Sequence, residues 1–138
     1  MKDYYRDRAG EYDQIYTRAE RQSDIRALTQ LLCDSLTDKH VLEIACGTGF
    51  WTDKYHHLAQ EVLALDYNHS VLELARARDY GESQVSFIEA DAYQLARIAQ
   101  LHDACFAGFW LSHVKREDIS AFLSQLHTVL TPGSTVIF

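Results

Sequence analysis

HVLEIACGTGFWT, residues 40–52, joins a short apolar run, Val41 to Ala45, to two closely spaced glycines, Gly47 and Gly49, and then to an amphipathic segment. An apolar run, a glycine bend and a helix start in that order make the first half of a nucleotide-binding βα unit. Without a Cβ, the glycines let the chain turn tightly and let a ligand approach the main chain. The helix start behind them offers unpaired N–H groups and a partial positive charge. A tight strand-to-helix turn with no ligand would use the same residues. A dinucleotide-binding G-x-G-x-x-G also accommodates Gly47 and Gly49. Its third glycine falls on Thr52, where close helix–strand packing wants no side chain, and this counts against it.

Outward from this stretch the chain reads as alternating helices and strands. Residues 1–22 are polar and tyrosine-rich, and Tyr12 and Tyr16 share a helix face. Ser23 is placed to cap a helix beginning at Asp24, whose core face carries Ile25, Leu28, Leu32 and Leu36. Strand one is expected over 41–45, followed by a helix to about Gln60 with Trp51, Tyr55 and Leu58 facing inward. Residues 61–66, EVLALD, form strand two and end in Asp66, where a nucleotide-binding fold of this kind binds a ribose. A carboxylate there accepts from both sugar hydroxyls. A solvated loop aspartate is the alternative. Tyr67, next along, is placed to lie against a base. Ser70 and Glu73 form a capping box, and Gly81 supplies a left-handed helix stop.

Strand three, 85–90, ends in Asp91. A short polar helix then leads into strand four, 104–109, and Gly108 leaves room at its C-terminal end beside the glycine turn. Ile119, Phe122, Leu123, Leu126 and Leu130 mark a further helix, which Pro132-Gly133 stops. Residues 134–138 open a fifth strand.

The run Glu43 to Gly49 resembles motif I of the class I S-adenosylmethionine-dependent methyltransferases, often written E/D-x-G-x-G-x-G, with Ala45 where the first glycine usually stands. FIEADAYQL, residues 87–95, is similar to the family segment in which an acid accepts from the adenine amino group and the next residue donates its N–H to the ring. Two acids at successive strand ends suit adenosine, and neither suits a pyrophosphate. The resemblance implies a doubly wound, Rossmann-like α/β sheet of order 3-2-1-4-5 and S-adenosyl-L-methionine as cofactor. It also implies site roles. Glu43 and the backbone of Ala45, Cys46, Gly47 and Gly49 would hold the methionine end, with Gly108 beside it. Asp66 would hold the ribose, Asp91 and Ala92 the adenine, and Tyr67 would lie against the ring. Residues 1–22, through Tyr16 and Tyr12, would form a lid; a helix simply packing its aromatics on a single domain, 1–138, is the plainer reading. His113 sits in a segment that resembles the border of the family's acceptor site, where it would act as a base, orient the acceptor, or serve structure alone.

Relatives in this family continue past strand five to strands six and seven, so the resemblance spans nearly all of this chain while the chain spans only part of the family's usual domain. An edge strand such as TVIF, residues 135–138, leaves backbone groups unpaired. Pairing with a second copy at that edge, giving a homodimer, is the expectation. The methyl acceptor reads as a small molecule, since no N-P-P-Y-like tetrapeptide follows strand four. The alternative is a cofactor-binding or oligomerising module without turnover.

Composition sets further bounds. A net charge of −7 over 138 residues argues against a nucleic-acid partner held by bulk charge. No apolar run approaches the roughly 20 residues of a membrane span. The charged N-terminus is unlike a signal peptide. Cys33, Cys46 and Cys105 lack metal-like spacing and read as thiols of a reducing cytoplasm.

Overall fold

Five apolar segments pair as an all-parallel sheet of order β3-β2-β1-β4-β5, the order expected. The computed structural model describes residues 2–138. In chain order the elements are α1 (Lys2–Tyr12), α2 (Gln22–Leu36), β1 (His40–Ile44), α3 (Thr52–Tyr55), β2 (Glu61–Asp66), α4 (His69–Arg76), β3 (Val85–Glu89), β4 (His102–Phe106), α5 (Ile119–His127) and β5 (Leu130–Ile137). Short 3-10 turns join several of them.

Because strand side chains alternate, β1 feeds two cores. Val41 faces Leu32, Leu36, Tyr55 and Leu72 on the α2, α3 and α4 side. Leu42 and Ile44 face Phe122 and Leu126 of α5 on the other. The α2 stripe is as the spacing indicates, with Leu32 and Leu36 fully buried. Among the described residues no helix is long and apolar enough to cross a membrane.

Several local expectations give way to longer-range bonds. Ser23 caps nothing: α2 starts at Gln22, continuous with a 3-10 turn at Ala19–Arg21, and the Gln22 amide donates to the carbonyls of Tyr16 and Arg18. The helix behind the glycines is four residues long and does not reach Gln60. It ends early because the next segment is tied across the chain. Asp38 N donates to the Leu58 carbonyl at 2.8 Å, and Gln60 N to that of Lys39 at 2.9 Å. Asn68, and not Ser70, caps α4: its side-chain oxygen accepts from Ser70 N at 2.9 Å. That helix stops at Arg76, where the Tyr80 hydroxyl bonds the Ala75 carbonyl at 2.7 Å. Gly81, left-handed at φ 58°, therefore shapes the next turn and does not stop the helix. β4 is shorter than expected. It ends at Phe106, and the chain then bends through Phe109 at φ 60°.

Pro132-Gly133 does not end α5, which has already stopped at His127. Both residues instead lie inside β5, in an irregularity where its register against β4 jumps from His102↔Leu130 to Ala104↔Thr135. Proline is tolerated there because a bulged residue owes the ladder no N–H.

Candidate functional site

The C-terminal ends of β1, β2, β3 and β4 open on one rim, and the chain leaves β1 there in a strained turn. Ala45, Gly47 and Gly49 all have left-handed backbone, at φ 57°, 56° and 78°. Only glycine takes that conformation without cost, so Ala45 holds a glycine geometry with a methyl group attached. The turn is pinned by Cys46 N to the Leu65 carbonyl at 3.0 Å and by Gly49 N to the Cys46 carbonyl at 3.1 Å.

Two cavities flank this turn and meet at Ala45. The first, of about 380 Å³, runs along the ends of β2 and β3 and is lined by Asp66, Tyr67, Asp91, Ala92, Tyr93 and Trp110. Asp66 Oδ2 accepts from Gly47 N at 2.9 Å and its Oδ1 from Asn68 N at 2.8 Å. Asp91 Oδ1 accepts from Tyr93 N at 2.8 Å. Each carboxylate is thus oriented by backbone and keeps lone pairs for a further donor.

The second cavity, of about 230 Å³, lies between the turn and the N-terminal segment. Its walls include Glu43, Cys46, Gly47, Thr48, Trp51 and Gly108, under Tyr12, Asp13 and Tyr16. The Tyr16 ring stacks on Phe50 with centroids 4.0 Å apart and meets Trp51 edge-on. Three side chains lock the segment down. The Thr48 hydroxyl donates to Asp13 Oδ1 at 2.6 Å, Arg78 pairs with Asp13 Oδ2, and Arg78 Nε donates to the Thr48 carbonyl at 2.7 Å.

Glu43 is almost wholly buried at 2 % exposure. Burial pushes its carboxyl up to about 7, against the opposing pull of hydrogen bonds from Thr52 and Tyr55. Burial likewise raises the Cys46 thiol far above the usual range and lifts the Tyr16 phenol.

Of the residues singled out in the sequence, Tyr16, Glu43, Ala45, Cys46, Gly47, Asp66, Tyr67, Asp91, Ala92 and Gly108 line one cavity or the other. Gly49 does not line either cavity: a Cβ there would stand 2.7 Å from the Tyr80 hydroxyl and 3.2 Å from Ala75 Cβ, so the bare backbone lets the turn pack against α4. Gly108 lines the second cavity, and a Cβ there would also meet the Phe106 ring at 2.7 Å. His113 is exposed on a 3-10 turn and lines neither cavity. Trp110, in the segment that resembles the border of the acceptor site, lines the first cavity, whereas Asp13, Arg78 and the hydroxyls on Glu43 carry no local sequence signal. Asp13 and Arg78 are 65 residues apart, and no local pattern links them.

Comparison with known proteins agrees with this architecture. Residues 41–133 match the family model described as "Methyltransferase domain". The demethylmenaquinone methyltransferase of Lactococcus lactis subsp. lactis is 28% identical over 123 residues, covering 85% of this chain and 48% of that protein. The malonyl-[acyl-carrier protein] O-methyltransferase of Serratia marcescens is 27% identical over 133 residues, covering 94% and 48%. Among solved structures, the DhpI–SAH complex superposes with a TM-score of 0.79 at 32% identity, covering 98% of this chain and 64% of that one. The chain belongs to the class I S-adenosylmethionine-dependent methyltransferases. It spans about half the length of the curated relatives it matches.

Proposed function

We propose that this chain binds S-adenosyl-L-methionine across the two cavities and supports methyl transfer to a small-molecule acceptor. The observation that carries the reading is the shared position of Asp66 and Asp91, two backbone-oriented carboxylates on one cavity that opens at Ala45 onto the glycine turn. The residues present suit the group. A cavity of about 380 Å³ with two carboxylate acceptors fits a nucleoside, and ligand sites commonly begin at about 300 Å³. In the turn beside it Ala45 and Gly47, on either side of Cys46, carry only a methyl group and a hydrogen.

In this reading Asp66 takes the ribose hydroxyls, Asp91 and the Ala92 N–H take the adenine, and Tyr67 lies against the ring. Glu43 and the Ala45–Gly47 backbone face the amino-acid end, with Gly49 shaping the turn from behind. The bound sulfonium supplies a methyl already activated toward a nucleophile. The protein's share is orientation and exclusion of water. Residues 1–22 serve as the lid: Asp13 and Tyr16 already rest on the glycine turn. The net charge of −7 and the absence of a cationic lining in either cavity, among the described residues, leave nucleic acid outside the reading.

A relative named for demethylmenaquinone supports a small-molecule acceptor. The three free cysteines suit a cytoplasmic setting. β5 pairs on one side with β4, and Val136 on it and Phe138 just past its end are 39% and 45% exposed. A homodimer through that edge is part of the proposal, and light scattering at micromolar concentration tests it, with a strictly monomeric mass counting against.

The central test is calorimetric titration with S-adenosylhomocysteine, wild type against Asp66→Ala, followed by assay of methyl transfer to candidate acceptors. Loss of one charged hydrogen-bond partner predicts binding weaker by at least about tenfold. Equal affinity in the variant overturns the site assignment. Tight binding with no turnover on any acceptor points to a binding module.

A further inference from the structure

Glu43 commits one carboxylate oxygen to the protein and leaves the other to the cavity. Thr52 Oγ1 donates to its Oε2 at 2.5 Å, and the Tyr55 hydroxyl donates to the same atom at 2.7 Å. The two donors sit three residues apart on α3 and so share a face. Both are completely buried, so neither hydroxyl has water to turn to. Oε1 accepts no hydrogen bond among the described residues. Glu43 lines the cavity under the glycine turn, and with Oε2 taken by Thr52 and Tyr55, Oε1 is the oxygen left for a ligand there.

The surroundings make that oxygen a strong acceptor in search of a cation. Thr52 and Tyr55 face the carboxylate from α3, Cys46 from the turn, Cys105 from β4, and Tyr80 from beyond α4. Asp13 and Tyr16 of the N-terminal segment line the same cavity. Among the described residues no lysine or arginine lines it. Arg78, nearby, is committed to Asp13 and Thr48. A buried carboxylate without a cation favours its neutral form, and hydrogen bonds from hydroxyls restore the charged one.

We propose that Thr52 and Tyr55 are positioning residues: by gripping Oε2 they hold Glu43 ionised and aim Oε1 at the ammonium group of an amino-acid ligand in this cavity. The proposal rests on the cofactor reading above and adds to it the two residues that set the charge of its amino-acid subsite. Neither residue touches the ligand. Removing either hydroxyl should therefore weaken binding only where Glu43 is no longer ionised. Burial already places that carboxyl at about 7 with both hydroxyls present, so losing one moves it further up.

The experiment is titration of the full chain with S-adenosylhomocysteine from pH 6 to 8.5, for wild type, Tyr55→Phe, Thr52→Val and Thr52→Ser. The quantity read is the ratio of variant to wild-type dissociation constants, in which the ligand's own titration cancels. Loss of one hydrogen bond to a charged group predicts a ratio of about ten at pH 6, falling toward one at pH 8.5, for Tyr55→Phe and Thr52→Val. Thr52→Ser keeps the donor and should track wild type throughout. A ratio that is constant across pH means that the hydroxyls serve packing alone and overturns the proposal. A ratio of one everywhere overturns it too. Failure of wild type to bind S-adenosylhomocysteine at any pH is a separate result: it defeats the cofactor reading itself and removes the ground for this one.

Discussion

The Thr48 hydroxyl, set between the two glycines of the turn, donates to the carboxylate of Asp13, 35 residues earlier in the chain, at 2.6 Å. Arg78 closes the triangle by bonding both residues. The N-terminal segment is therefore fastened to the most strained part of the backbone, and anything that loosens it also unloads the turn. Asp13→Asn keeps the size and one acceptor but removes the charge that Arg78 needs. Losing a charge-assisted bond of about 1.5–3 kcal/mol should raise the open population of the segment roughly tenfold or more. Limited trypsin digestion checks this, with faster cleavage after the exposed Arg18 and Arg21 expected. An unchanged cleavage rate would mean that the Tyr16–Phe50 stack holds the segment by itself.

Ala45 carries the second prediction. At φ 57° an alanine costs about 1 kcal/mol that glycine does not. Ala45→Gly should thus raise the melting temperature by up to about 2 °C, since the relief in the folded state is partly offset by the added freedom of the unfolded chain. Ala45→Val should lower it, because a β-branched residue is still less at home at positive φ. A melting temperature that drops in Ala45→Gly would show the alanine methyl to be useful packing between the two cavities.

Gly49 makes the contrasting case. Its backbone is also left-handed, at φ 78°, but here a Cβ meets the Tyr80 hydroxyl, which is itself bonded to the Ala75 carbonyl. Gly49→Ala should destabilise by about 2 kcal/mol or more from strain and overpacking together. In a Tyr80→Phe background the clash is relieved while the strain remains, so denaturant titration should recover part of the loss. Equal losses in both backgrounds would place all of the cost in the backbone.

These residues also show what a linear reading can and cannot reach. The five strands follow from apolar runs separated by helical stripes, their order follows from the resemblance to the methyltransferase motifs, and Asp66 and Asp91 follow as the acids at the end of β2 and two residues past β3. The position of Ala45 was legible through its place in a glycine-rich pattern. The pairing of Asp13 with Arg78 was not, because each is an ordinary surface charge until the fold brings segments 65 residues apart into contact. Helix ends misled for a related reason. Pro132-Gly133 reads as a stop, but pairing with β4 continues on both sides and absorbs the pair as an irregularity. Ser70 and Asn68 both offer a capping oxygen, and the one chosen is the residue whose own N–H Asp66 already holds.

The last prediction concerns the folding equilibrium of the empty protein. Glu43 is raised in the folded state to about 7 from the 4.5 expected of an exposed glutamate. Between those values the folded chain holds a proton that the unfolded chain has released. Its stabilising contribution is thus fully present below pH 4.5 and is lost as pH rises through about 7. His102 works in the opposite sense. It is buried with both ring nitrogens unpaired, and burial lowers it below 6.5, so its contribution is present above that value and lost as pH falls. His56, lowered by burial as well, adds to this acid-side loss. The two slopes overlap in wild type, and Glu43→Gln separates them. The amide oxygen still accepts from Thr52 and Tyr55, and no proton is exchanged. The stability difference between variant and wild type should be small near pH 4.5 and grow in favour of the variant to about 3 kcal/mol by pH 8. Urea midpoints measured in parallel across that range check it. A gap that stays constant with pH would show that Glu43 keeps an ordinary carboxyl despite its burial.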